Sequence, residues 1–270
     1  MEMVFTPKGR LSTYVRMMWL NDGYTPSSSK ERVLPSTACQ LIINLAGAPF
    51  RHFDKSNPDK EYCYDSAVLT GIRSHHIFLD SYSRISTIGV IFRTGAIPAL
   101  FGIPAYELHN QVVSLKNVLN TETSRLLGTL EEAADPNQKI RIVANFLMDL
   151  LDKDVKPNPA IQHSVHLISK THGTTPIAEI RDHIGYSRRH FSHLFKKLIG
   201  LTPKQYARLS RFQHALDIIH QCNISDWTRF ALGLGYYDQS HFIHDFQSFS
   251  DLSPDEYRRY KPKQKNHIPM

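Results

Sequence analysis

The chain has 270 residues, 32 Lys and Arg against 25 Asp and Glu, a formal charge of +7, and 41% hydrophobic residues. That length and composition suit a globular protein of two domains, each with its own core. No run of 18 apolar residues occurs, so no membrane span is expected, and Met1-Glu2-Met3-Val4-Phe5-Thr6-Pro7 lacks the pattern of a secretion signal, so a cytoplasmic location is expected.

In chain order, the first half reads as strands and then helices. Leu41–Leu45, Ala67–Ile72, Ile77–Asp80 and Ile85–Phe92 are short, rich in β-branched or aromatic residues, and separated by turn formers. They predict a β-sheet or a small, cupin-like barrel. Two helices should follow, one with an apolar stripe at Leu126, Leu127, Leu130 and Ala134, the other at Ile140, Val143, Leu147 and Leu150, after a break at Asp135-Pro136-Asn137. The charged, twice-proline segment from Asp152 to Pro159 reads as a linker. It divides the chain into residues 1–155, for effector binding or dimerisation, and residues 160–262. The expected fold class is therefore α+β, a β-rich domain followed by an all-α one.

Beyond the linker no strand signal is present. Seven helices are expected, at about 161–172, 176–184, 187–198, 203–220, 226–233, 239–249 and 254–260. Thr175-Pro176, Thr202-Pro203-Lys204-Gln205 and Ser253-Pro254-Asp255-Glu256 give capped starts, the last two as capping boxes. Gly173, Gly185, Gly200 and Gly235 give stops. The Pro- and Lys-rich tail from Lys261 is expected to fray.

One phrase occurs twice, 51 residues apart: His190-Phe191-x-His193-x-Phe195 with Leu201-Thr202-Pro203-x-x-Tyr206, and His241-Phe242-x-His244-x-Phe246 with Leu252-Ser253-Pro254-x-x-Tyr257. A repeat of this kind points to a duplicated structural unit. Each copy has the parts of a helix-turn-helix: a scaffold helix, a glycine turn and a second helix with a polar outer face. In the first, Ile177, Ile180 and Ile184 face inward, Gly185 turns, and Phe191, Leu194, Phe195 and Leu198 bury the next helix. Ser187, Arg188, Arg189, Ser192, His193, Lys196 and Lys197 are then displayed. In the second, Trp227, Phe230, Ala231 and Leu234 face inward and Asp238, Gln239, Ser240, His241 and His244 are displayed. Arg can bridge guanine O6 and N7, Gln can pair with adenine, and Lys suits phosphates. Charge agrees: residues 1–160 carry +1 and residues 161–270 carry +6, with 11 of the 15 histidines. The helix at 203–220 would span about 27 Å, against about 34 Å for one DNA turn. It could hold two unlike reading helices in successive major-groove segments.

These residues carry a resemblance. Ser187-x-x-His-Phe-Ser-His-Leu-Phe-Lys-Lys-Leu-Ile-Gly200-Leu-Thr-Pro203 and Gly235-Tyr-Tyr-Asp-Gln-Ser-His-Phe with Leu252-Ser253-Pro254-x-x-Tyr257 resemble the DNA-binding domain of AraC/XylS bacterial transcription regulators. The resemblance implies base-reading roles for Arg189, Ser192 and His193, and for Gln239, Ser240, His241 and His244. It implies promoter DNA and RNA polymerase as partners, a homodimer, and a small-molecule effector. Activation of transcription is the mode of control it suggests. Two positions depart from the pattern. Arg181 stands where a small residue is usual, as at Ala231. Asp251 stands where the first copy has Gly200. Leu34-Pro35, Gly89–Gly95 and Ala105–Leu108 resemble the β-rich regulatory domain of one branch of these regulators, with no ligand residues implied.

Other signals are weaker. The His-x-x-His pairs at 163/166, 190/193 and 241/244 lack a third local ligand, so no metal or cofactor is expected. Cys39, Cys63 and Cys222 form no CxxC and are expected to be small buried residues. No glycine-rich phosphate loop, HExxH or GxSxG motif points to an enzyme. Arg93 is a candidate anion contact, though a surface Arg fits as well. Phe50, Phe53, Tyr62, Tyr64, Phe78 and Tyr82 line either a cavity or an ordinary core. The rival readings are a constitutive DNA binder whose first domain only dimerises, and a cupin-like enzyme using His52, His75, His76 and His109 with a DNA-binding appendage.

Overall fold

The computed structural model describes residues 2–55, 57, 60–151, 156–260 and 262–270. Two antiparallel sheets fill the first part. Sheet A has six strands in the order β1 (Glu2–Phe5), β2 (Val15–Asp22), β9 (Ser86–Phe92), β4 (Gln40–Asn44), β7 (Ala67–Thr70) and β10 (Val112–Ser114). Sheet B has five, in the order β11 (His267–Pro269), β3 (Lys30–Val33), β8 (Ile77–Asp80), β5 (Phe50–Phe53) and β6 (Glu61–Tyr64). The strand orders are open, so the β-rich part is a pair of sheets and does not close into the small barrel that was one expectation.

Strand alternation assigns each face of sheet A. Met18, Leu20, Leu41, Ile43, Leu69, Ile88 and Val90 join the main core. That core also takes in helices α1 (Ala96–Phe101), α3 (Thr121–Glu131) and α4 (Pro136–Leu150). The opposite face, with Ile42 and Val68, packs on Val33, Phe50, Ile77 and Leu79 of sheet B. The arrangement is thus helices, sheet, sheet. Trp19 pairs with Gly89 across β2 and β9, and its indole lies where any Cβ on Gly89 would have to be.

The expected helices of the first half form, with Leu126, Leu130, Ile140, Val143 and Leu147 buried and Leu127 and Leu150 partly buried. Asp135 caps α4, its carboxylate accepting from the Asn137 and Gln138 N–H groups, with Pro136 in the first turn. Helix α3 ends at Glu131, so Ala134 falls beyond it and is exposed, while Ala133 is buried. Helix α2 (Leu115–Leu119) and α1 had no clear signal. Within the linker, residues 152–155 lie outside the described residues. Asn158 then caps helix α5, with Pro159 in its first turn.

Seven helices follow: α5 (Pro159–Lys170), α6 (Ile177–Ile184), α7 (Arg188–Ile199), α8 (Pro203–Gln221), α9 (Trp227–Gly233), α10 (Gln239–Ser250) and α11 (Pro254–Tyr260). Both capping boxes form. Thr202 Oγ1 accepts from the Gln205 N–H, and Gln205 Oε1 from the Thr202 N–H; Ser253 and Glu256 make the same exchange. The Thr175 cap does not form: Pro176 itself occupies the cap position, without a side-chain hydrogen bond. Asp251 takes the left-handed conformation, φ 55°, that ends α10, as Gly200 does for α7 at φ 98°. Asp is among the few residues that enter this region at small cost.

The largest correction concerns the tail. It does not fray. It returns as β11 to the edge of sheet B, pairing antiparallel with β3, with Leu34 N–H donating to the Asn266 carbonyl at 2.8 Å and Met270 N–H to the Lys30 carbonyl at 3.0 Å. The C-terminal part is therefore not wholly helical. Ile268 is fully buried, Tyr257 Oη donates to the Lys265 carbonyl, and Lys265 pairs with Asp217. Three apolar or polar anchors outweigh the charge and proline content that suggested disorder. Among the cysteines only Cys39 is buried; Cys63 and Cys222 are exposed, against expectation.

Candidate nucleic-acid interface

Helix α6, Gly185 and α7 make the first helix-turn-helix. Ile180, Phe191, Phe195 and Ile199 are buried, and Ile177, Ile184, Leu194 and Leu198 are partly buried. Gly185 ends α6 at φ 67°. Arg181 does not wedge the helices apart: its head turns outward, Nε donating to Asp182 Oδ1 at 3.0 Å, so the stem snorkels past the contact. The Ser187 hydroxyl caps α7, accepting from the His190 N–H at 3.2 Å. Arg188, Arg189, His193, Lys196 and Lys197 are exposed and Ser192 is partly buried.

Helix α9, Gly235 and α10 make the second. Ala231, Leu234, Phe242 and Phe246 are buried, and Trp227 and Phe230 pack around Phe242 with ring centroids 6.0 and 5.4 Å away. Asp238 caps α10, accepting from the His241 N–H at 2.7 Å. Gln239 Oε1 accepts from Thr228 Oγ1 at 2.9 Å, which fixes the amide and leaves its NH2 group turned away from that bond. Ser240, His241 and His244 are exposed. Ser187 and Asp238 thus hold their helices in shape, while the residues one turn further in are displayed.

The connecting helix α8 has 19 residues, about 28 Å at 1.5 Å per residue. Its fixing residues carry no motif. Arg208 Nε donates to Asp245 Oδ1 of α10 at 2.9 Å, and Tyr236 Oη donates to Asp245 Oδ2 at 3.1 Å. Burial and the Asp245 carboxylate push the Tyr236 phenol upward, so it stays a donor. Arg211 donates to the Gly173 carbonyl at 2.8 Å and the Gly235 carbonyl at 3.3 Å, joining the ends of α5 and α9. Patterns of two charged residues on an amphipathic helix look like solvated surface, so only the identity of their distant partners could have singled them out.

The β-rich part meets the far ends of both reading helices. At α7, a Cβ on Gly200 would lie 2.9 Å from the Ala105 carbonyl oxygen, and Lys196 Nζ lies 5.8 Å from the centre of the Tyr106 ring. At α10, His76 N–H donates to the Phe249 carbonyl at 3.1 Å, Arg32 Nη1 to the Ser250 carbonyl at 2.9 Å, and Lys55 pairs with Asp251 at 2.8 Å. Lys196 is therefore partly claimed by Tyr106, whereas Lys197 is exposed and meets no ring or ion-pair partner among the described residues.

Elsewhere, His52 stacks on Tyr62 and Tyr64 at 4.8 and 5.4 Å. Phe50 is core, and Tyr82 is 58% exposed, so the aromatic set does not form one cavity. Arg93 is exposed. Among the described residues no group of three His, Cys, Asp or Glu could hold a metal ion.

A helix-turn-helix domain family matches residues 180–260. That segment carries the motifs that resemble AraC/XylS regulators. A domain of unknown function, DUF6597, matches residues 3–114, the β-rich part up to the end of β10. The chain is 32% identical over 139 residues to the lactose operon transcription activator of Staphylococcus xylosus, covering 50% of this chain and 44% of that protein. It is 28% identical over 148 residues to an uncharacterized HTH-type transcriptional regulator of Haemophilus influenzae, covering 55% and 45%. The chain thus spans under half the length of these curated relatives. Among solved structures, ToxT from Vibrio cholerae aligns over 92% of this chain and 99% of that one, with 12% identity and a TM-score of 0.47. An AraC-type regulator from Chromobacterium violaceum aligns over 39% and 94%, with 23% identity and a TM-score of 0.36.

Proposed function

We propose that the chain is a sequence-specific, DNA-binding transcription regulator. Residues 160–262 are its DNA-binding domain and residues 1–155 its regulatory domain, controlled by a small molecule. The observation that carries this reading is the pair of unlike helices, α7 and α10, each with its N-terminal half exposed and each fixed to α8. Arg189, Ser192 and His193 then read bases in one major-groove segment, and Gln239, Ser240, His241 and His244 in the next. Lys197 holds phosphate. Because the two helices differ in sequence, one chain reads an asymmetric site.

Selection of bound sequences from random duplex DNA with the full chain tests this. The expected result is one asymmetric motif with two blocks separated by about ten base pairs. Arg189→Ala should then lose about 1–3 kcal/mol and relax a single position. Enrichment of no motif, or an equal loss on specific and random DNA for Arg189→Ala, overturns the reading.

A further inference from the structure

A cavity of about 90 Å³ lies between sheets A and B. Its apolar walls include Trp19, Ile42, Phe50 and Leu79. Two polar side chains also line it and find no partner. The Thr87 hydroxyl belongs to a residue only 1% exposed and makes no hydrogen bond. Arg73 is partly buried, its Nε is enclosed and unbonded, and no acidic residue pairs with its guanidinium among the described residues. The other guanidinium at the cavity, Arg84, is already neutralised by Glu31.

An unpaired charge held partly out of water is destabilising, and arginine does not relieve that by losing its proton at neutral pH. Burial draws the Arg73 guanidinium down to about 10, which still leaves it charged at neutral pH. One uncompensated positive charge beside one free hydroxyl, within apolar walls, is the complement of an organic monoanion. The planar fork of arginine matches a carboxylate. Size narrows the body: a cavity of about 150 Å³ takes benzene, so this smaller one takes a chain of about four carbons.

We propose that this cavity binds a short-chain organic carboxylate, with Arg73 as counter-charge and Thr87 as the second polar contact. It rests on the reading of the β-rich part as regulatory, and names the ligand class. Asn266 and His267 of the returning tail also line the cavity. An occupant is therefore enclosed by residues from both sides of the DNA-binding helices, and its binding is linked to the seating of the segment that follows them. Gln213 of α8 donates to the Pro35 carbonyl at 2.6 Å and Asn266 Oδ1 at 3.3 Å, which ties the same wall to the helix that spaces α7 and α10.

The test is calorimetry and thermal unfolding of the full chain, without DNA, with acetate, butyrate, isovalerate and octanoate as probes and n-butanol and inorganic phosphate as controls. Butyrate or isovalerate should bind saturably and raise the unfolding midpoint, with acetate and octanoate at least tenfold weaker and butanol and phosphate inert. Arg73→Met should abolish the effect and raise the midpoint of the ligand-free chain, because the unpaired charge is gone. His267→Ala should weaken butyrate several-fold. Binding by none of the carboxylates, equal binding by butanol or phosphate, or unchanged binding in Arg73→Met overturns the proposal. If Arg73→Met does not fold, the comparison of butyrate with butanol on the unaltered chain decides alone. As no DNA is present, failure here is separate from failure of the DNA-reading assignment.

Discussion

Asp245→Ala isolates the contact that fixes the second reading helix. Asp245 is 3% exposed and its carboxylate accepts from Arg208 and Tyr236. Removing it leaves the hydroxyl of Tyr236, a residue 4% exposed, without an acceptor, at a cost of about 1–3 kcal/mol. Breaking a fully buried ion pair would add about 3–5 kcal/mol. However, the Arg208 side chain is 45% exposed and can turn to water, so that part falls to about 1 kcal/mol. The total is about 2–4 kcal/mol, or roughly 8–20 °C in unfolding midpoint for a domain of about 100 residues. Circular dichroism melts of Asp245→Ala, Arg208→Ala and the double variant supply the assay. Arg208→Ala strands the buried Asp245 carboxylate and should cost at least as much as Asp245→Ala, and the double variant should cost less than the sum of the two. In footprints, Asp245→Ala should lose protection over one groove segment before the other. A cost below about 0.5 kcal/mol for either Asp245→Ala or Arg208→Ala refutes the argument that α10 is held through this carboxylate.

Three further outcomes follow from the same contacts. Lys197→Ala should lower the slope of log affinity against log salt by about one unit on any DNA sequence, and Lys196→Ala by less, since Lys196 already lies over Tyr106. His76 is fully buried between the β-rich part and α10, beside Asp251, Lys55, His75 and Arg32; burial foremost, then Arg32, draws it down to about 4. Its folded value lies below its unfolded one, so its contribution is complete above about pH 6.5 and is lost as pH falls towards 4, amounting to about 3 kcal/mol at the lower end; equilibrium unfolding should show that loss, and His76→Phe should flatten the profile. Gly89→Ala places a methyl group on the Trp19 indole, and should cost about 1–3 kcal/mol and shift tryptophan emission as Trp19 is displaced.

The helical part could be read closely from sequence because its ends are written in local chemistry: Thr202 with Gln205, Ser253 with Glu256, and glycines where the backbone turns left-handed. The sheets were read only in part. β4, β7, β8 and β9 carry β-branched runs, but β2 has Met17, Met18 and Trp19, and β3 is Lys-Glu-Arg-Val. Those residues take strand form because of their partners, Gly89 opposite Trp19 and Glu31 beside Arg84 and His267. The displayed faces of α7 and α10 followed from three- and four-residue spacing. What spacing could not reveal was which displayed residues are already engaged: Gln239 with Thr228, Lys196 with Tyr106, Arg208 with Asp245. Each of those bonds joins separate elements, and Arg208 reaches across 37 positions of sequence. Arg73 was missed for the opposite reason, since its significance lies in having no partner.

The return of the tail also orders how the chain matures. Sheet B acquires its outer strand from residues that follow the whole DNA-binding domain, and the Glu31–His267 contact closes a loop of 236 positions. Contacts so distant form late and slowly. A nascent chain that has emerged only through its first half holds an unfinished sheet edge, open to pairing with other chains. Residues beyond the DNA-binding helices therefore decide when the earlier strands stop being prone to aggregate.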